Sequence, residues 1–120
     1  MITREEIYKV LTEVEKNYND LNTENSNDRR FLRLRSDSVN VQNGALETNF
    51  KTFMFDDLIL FLEYIKSNNG IYNRALNELF LSEQGNNNNY RNCGVHIIAM
   101  LLVKLGYLEI INIRSYRLIK

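Results

Sequence analysis

A chain of 120 residues that is 44% hydrophobic has the size of one ordinary domain and enough apolar side chains for a packed core, which excludes wholesale disorder. Acidic and basic residues balance at 15 each, yet residues 1–28 carry seven acidic and three basic side chains while residues 84–120 carry one acidic and five basic, so a polyanion meets the C-terminal part first. No apolar run reaches the roughly 18 residues of a membrane span, and Arg4, Glu5 and Glu6 stand where a signal sequence is apolar, so the expectation is a cytoplasmic chain with no membrane segment.

The chain opens on a helix. Thr3-Arg4-Glu5-Glu6 is a capping box, in which the threonine oxygen takes the Glu6 amide. Ile7, Val10, Leu11 and Val14 then recur at helical spacing and need a partner surface. This stripe is a candidate homodimer seam. Residues 22–28 contain no apolar side chain and read as an exposed loop.

In Arg29-Arg30-Phe31-Leu32-Arg33-Leu34-Arg35 the strict alternation over Leu32, Arg33, Leu34 and Arg35 predicts a half-buried strand with leucines inward and arginines outward. A second strand is predicted over residues 38–42 and a third over 46–54, with Asn43-Gly44 as a type I′ turn. The result is a small antiparallel sheet. A seam between two parts falls near residues 53–55, giving an N-terminal helix-plus-sheet region over 1–54 and a second region over 55–120.

Phe55-Asp56-Asp57-Leu58-Ile59-Leu60-Phe61-Leu62-Glu63-Tyr64-Ile65-Lys66 predicts a helix begun by Asp56 or Asp57 and ended by Ser67-Asn68-Asn69-Gly70. A short helix follows over residues 72–80. Asn86-Asn87-Asn88-Asn89 is the one low-complexity patch and reads as a loop. Residues 95–105 form a strongly apolar helix with Val95, Ile98, Ala99, Leu102 and Leu105 on one buried face, closed by Gly106 in a left-handed turn. Lys104 sits in its last turn, where a cation suits the negative dipole end. Residues 107–111 and 116–119 are β-branched and aromatic enough for two strands joined across Asn112-Ile113-Arg114-Ser115.

Three helices followed by a basic hairpin, with Leu105-Gly106-Tyr107-Leu108-Glu109 at the exit of the third helix, resemble the winged helix-turn-helix family over residues 55–120. The fold class expected is therefore α+β: a winged-helix-like C-terminal part, three helices plus a β-hairpin, preceded by an N-terminal helix and a small antiparallel sheet. The resemblance implies a small transcriptional regulator that binds double-stranded DNA. The chain departs from the family's pattern in two places: residues 81–92 exceed the three-to-four-residue turn of the motif, and the third helix is apolar over residues 95–103.

The candidate contacts follow from that picture. Tyr90, Arg91, Asn92 and His96 lie at the start of the third helix, where a recognition helix touches bases. Arg114, Ser115, Arg117 and Lys120 lie on or beside the hairpin, and Arg29, Arg30, Arg33 and Arg35 could follow a phosphate backbone through bidentate guanidinium contacts. Set against these, charged residues on a strand also serve simply to discourage edge pairing. The alternative is a protein–protein interaction module of the same fold without nucleic-acid binding, favoured by the neutral overall charge and the apolar third helix.

Catalysis has little support in the sequence. There is one histidine and no Gly-rich phosphate loop, nucleophile elbow or His-Glu-x-x-His motif, and Asp37, Glu47 and Lys51 match no nuclease signature. Cys93 and His96 are two ligands where zinc wants four. The expectation is a non-enzyme with no metal or cofactor.

Overall fold

The computed structural model describes residues 2–17, 29–43, 50–84, 90, 94–112 and 115–119. Over these the fold class is α+β, with four helices and two three-stranded antiparallel sheets. No helix among the described residues is long and apolar enough to cross a membrane. Backbone contacts group the chain into two units, Met1–Ile59 and Leu60–Lys120.

In the first unit, α1 (Arg4–Asn17) starts where the capping residue predicts, with the Glu6 N–H donating to Thr3 Oγ1 at 3.2 Å. Ile7 and Leu11 are buried, and α1 lies against the strand β1 (Arg29–Leu34). The stripe read as a homodimer seam is thus covered within this unit, because the sheet offers the apolar surface that the helix needs. Val14 lies outside the residues whose side chains are described.

β1 pairs with β2 (Ser38–Asn43), which pairs with β3 (Phe50–Met54), in the order β1-β2-β3. A bulge between Phe31 and Arg33 sets Arg33 opposite Asn40 and Leu34 opposite Val39, with Arg33 and Arg35 exposed and Leu34 half-buried. Val39, Val41 and Phe53 are fully buried. The Asn43-Gly44 turn falls outside the described residues, and β3 is described from Phe50 rather than from residue 46.

The helix α2 (Phe55–Lys66) has the bounds read from the sequence, and the unit boundary lies inside it. Its first turn belongs with the N-terminal sheet: the Phe55 N–H donates to the Asp37 carbonyl at 2.8 Å, and Arg4 Nε donates to Asp56 Oδ1 at 2.9 Å. These links tie the first turn of α2 to the first unit. At its other end the Gly70 N–H returns to the Ile65 carbonyl at 2.9 Å through left-handed Asn69 (φ 65) and Gly70 (φ 72). Gly70 is required twice over, since a Cβ there would also meet Leu118 Cβ at 3.3 Å.

The second unit continues with β4 (Ile71–Tyr72) and α3 (Arg74–Gln84), where the sequence suggested one helix over residues 72–80. The Asn73 side chain decides the difference. Its Oδ1 accepts the Leu76 N–H at 3.1 Å, so the helix starts at Arg74 and Tyr72 is left to pair with Tyr116.

The helix α4 (Gly94–Lys104) leads to β5 (Leu108–Asn112) and β6 (Ser115–Leu118). The Tyr107 N–H reaches the Leu102 carbonyl at 3.0 Å around Gly106 (φ 82), which is the expected left-handed stop. The second sheet has the order β4-β6-β5. All five positions of the predicted inward face of α4 are buried, but so are Ile97, Met100 and Leu101 on its other sides. A helix that is apolar all round is a core element, and the single inward face expected from spacing understates this one.

Candidate functional site

The start of α4 is built from aromatic packing. Tyr90 is only 3% exposed, and its ring lies 5.0 Å from that of Phe80. Phe80 in turn meets Phe61 at 5.3 Å and Tyr64 at 5.2 Å, and Phe61 meets Tyr72 at 5.0 Å. The His96 ring completes this chain, 6.5 Å from Tyr72 and 6.4 Å from Tyr116. Tyr90, buried, and His96, half-buried, therefore both join one aromatic cluster. Offset and edge-on ring contacts add roughly 0.5–1.5 kcal/mol each beyond area burial, which gives both residues a packing role. Arg91 and Asn92 lie outside the described residues.

Two tyrosines in this region are held protonated. Burial is the main cause for Tyr72, with Tyr116 nearby adding to it, and the Tyr72 hydroxyl donates to Asn77 Oδ1. Tyr64 is raised by desolvation and by its hydroxyl's bond to Glu83 Oε2 at 2.8 Å. Neither is poised as a base near neutrality.

On the hairpin, Arg117 is exposed, and its Nε donates to Glu109 Oε1 at 2.7 Å, with Nη2 reaching the same oxygen. Glu109 lies directly opposite Arg117 in the ladder, so the pair is a cross-strand neighbour contact that offsets one of the basic charges expected to meet phosphate. Ser115 is half-buried opposite Asn112. Arg114 and Lys120 lie outside the described residues.

In the first unit Arg33 and Arg35 are both exposed. Arg33 stands beside Asn40, whose Oδ1 accepts the Thr52 hydroxyl at 2.9 Å, and the Arg35 N–H donates to the Ser38 carbonyl at 2.8 Å in the β1–β2 turn. Arg29 and Arg30 contribute backbone to β1, and their side chains lie outside what is described. The candidate residues thus fall into two groups by unit: Arg33 and Arg35 in the first, and Tyr90, His96, Ser115 and Arg117 in the second.

Two concave surfaces and one flat one were not read from the sequence. A groove of about 370 Å³ runs between the turn after α2 and α3, with Ile71, Leu76 and Leu79 along it and Asn68 and Asn73 at its rim. A cleft of about 460 Å³ is lined by Arg4, Glu5, Tyr8, Ser36 and Asp37. The flat surface is the outer face of the β4-β6-β5 sheet. There Ile71 lies opposite Arg117, Arg117 opposite Glu109, and Ile119 two residues further along. Ile71 is 42% and Ile119 51% exposed. Period-two alternation around Arg117 hinted at this face, but Ile71 joins it only through pairing distant in sequence.

Among the described residues no group of three His, Cys, Asp or Glu side chains could hold a metal ion. Compared with protein-family models, curated proteins and solved structures, the chain matches none.

Proposed function

We propose that residues 55–120 act as a winged-helix-like protein-binding module rather than as a reader of DNA sequence. The observation that carries this is the burial of α4: eight of its 11 residues are buried, Gly94 and Val95 of its first turn included, and Tyr90 ahead of it is in the core. A recognition helix reads bases with side chains projecting from its leading end. Here the described side chains at that end are used for packing. The order α2-β4-α3-α4-β5-β6 with strand order β4-β6-β5 supports the winged-helix part of the reading. The second unit also exposes apolar side chains on α2, α3 and the sheet, with Leu60, Leu79, Ile110, Ile111 and Ile119 each at least 40% accessible.

Duplex DNA held through its backbone is the second reading, and the exposed pair Arg33 and Arg35 favours it. Titrating salt against binding to random duplex DNA separates the two. The protein-binding reading expects no complex at about 50 mM salt, whereas each phosphate neutralised by a basic side chain adds about 0.9 to the slope of log affinity against log salt. A steep slope that is reduced by Arg33→Ala and Arg35→Ala would overturn the first reading and establish the second.

A further inference from the structure

We infer that the outer face of the β1-β2-β3 sheet binds single-stranded nucleic acid. The inference goes beyond the reading of residues 55–120, since every residue it uses lies in the first unit. Register puts Arg33, Asn40 and Thr52 in one row across the sheet. Ser38 pairs with Met54 in the next row towards the β1–β2 turn, and Gln42 with Phe50 in the next row the other way. Arg35 closes the Ser38 row, its N–H donating to the Ser38 carbonyl. The alternating residues Val39, Val41 and Phe53 are fully buried on the opposite side.

Charge and an open ring select the occupant. Ser38 and Gln42 are buried, so what stands above the face is Arg33 and Arg35 on the β1 side and Phe50 and Met54, 49% and 41% exposed, along β3. No acidic residue occupies these rows. Arg4, Arg74 and Arg117 each have a carboxylate partner, whereas no ion pair among the described residues holds Arg33 or Arg35. Two residues two apart on extended chain stand about 6.6 Å from one another, close to the separation of successive phosphates along a nucleic-acid strand. Each guanidinium can grip a phosphate through two N–H groups.

The strand β3 lies two strand spacings from β1, about 9.6 Å, a distance that an arginine side chain and the sugar of a nucleotide bridge together. Bases then fall over β3, where the exposed Phe50 ring gives any base a face to stack on. Between the two, Asn40 accepts the Thr52 hydroxyl at Oδ1, and its amide N–H groups can donate to the ligand. A duplex meets the same arginines but keeps its bases stacked inside, and an acidic peptide has no bases, so neither gains from Phe50.

Fluorescence anisotropy of the full chain tests this, using a labelled mixed-sequence strand of about 12 nucleotides, as DNA and as RNA, and the DNA duplex of the same sequence. A dissociation constant on the order of 100 µM is expected for the strand at low salt, with a slope of about 1.4 for log affinity against log salt from two phosphate contacts. The duplex should bind about tenfold more weakly, and Phe50→Ala should weaken strand binding about tenfold with the slope unchanged. Arg33→Ala and Arg35→Ala should each lower the slope by about 0.7. All three positions are exposed, so the circular dichroism spectrum should not change. Phe50→Trp puts a tryptophan into a chain that has none, and the strand should quench its fluorescence. Binding of either the DNA or the RNA strand supports the inference, and the tighter of the two identifies the sugar preferred. A chain that binds neither strand at ~1 mM, well above the weak end of non-specific binding, overturns it. So does a duplex bound as tightly as the strand, a strand displaced by polyglutamate of equal charge, or a Phe50→Ala variant that binds normally. Loss of strand and duplex binding together removes this inference and leaves the protein-binding reading in place.

Discussion

In the β1-β2-β3 sheet each strand pairs with its neighbour in the chain, whereas β4-β6-β5 brings Ile71 beside Arg117 and places the last strand in the middle. The two sheets have the same number of strands and the same antiparallel pairing, but in the second β4 and β6 are separated in the chain by α3, α4 and β5. The outer face of the first exposes Arg33, and that of the second presents isoleucines around a neutralised pair. Local pairing is written in local pattern. Long-range pairing has to offset the loop-closure entropy of the chain between its strands, so it leaves little trace in any short window.

The largest expected effect tests that dependence. Phe80 is fully buried and touches three other rings, so Phe80→Ala should cost about 3–5 kcal/mol, read from urea denaturation. Tyrosine fluorescence is a suitable probe, because five of the seven tyrosines lie in the second unit and the chain has no tryptophan. A loss below about 1 kcal/mol, the level typical of a point substitution with no special role, would mean that the aromatic cluster is not what holds β4 and β6 together.

A smaller effect is expected at the turn that delivers β4 to its partner. Gly70→Ala forces a side chain into a left-handed conformation and presses on Leu118, and it should cost about 1–3 kcal/mol. Amide exchange should accelerate at Leu118, whose N–H donates to the Gly70 carbonyl, and not across β2. Equal acceleration in both sheets would erase the distinction drawn between them.

The smallest effect belongs to the first unit. The bond from Arg4 holds the Asp56 carboxyl below its ordinary 3.8, with Coulomb attraction to the same guanidinium helping and desolvation opposing. A lowered carboxyl pKa gives stability that is present above the unfolded value and lost as pH falls through the folded one. Arg4→Ala should therefore lower the unfolding midpoint slightly at neutral pH, and the difference should shrink as pH falls through the lowered carboxyl pKa and vanish below it. A difference that persists in acid would assign Arg4 a packing role rather than an ionic one.

Much of this architecture was legible from the sequence. The capping threonine at position 3, the twelve residues of α2, the glycines that end α2 and α4, and the two hairpin strands all announce themselves through local chemistry. The candidate site was less so. Tyr90 and His96 have polar tips and sit before or within the first turn of a helix, which reads as readiness to donate, but each also has a ring that a nearby aromatic cluster can absorb. Arg117 read as a phosphate contact because the residue opposite it in a ladder cannot be known until the register is set.

Spacing, caps and turn residues determined the four helices and two sets of strands found among the described residues, because those preferences act over a few residues and need no distant partner. Tertiary structure alone decided that Ile71 and Tyr72 are a strand, that the Ile7 and Leu11 stripe is covered by its own sheet, and that α4 is enclosed on several sides. Each of those outcomes depends on which apolar surface reaches which other one. That is settled by burying area and pairing backbone groups across the whole fold, which no short window of sequence records.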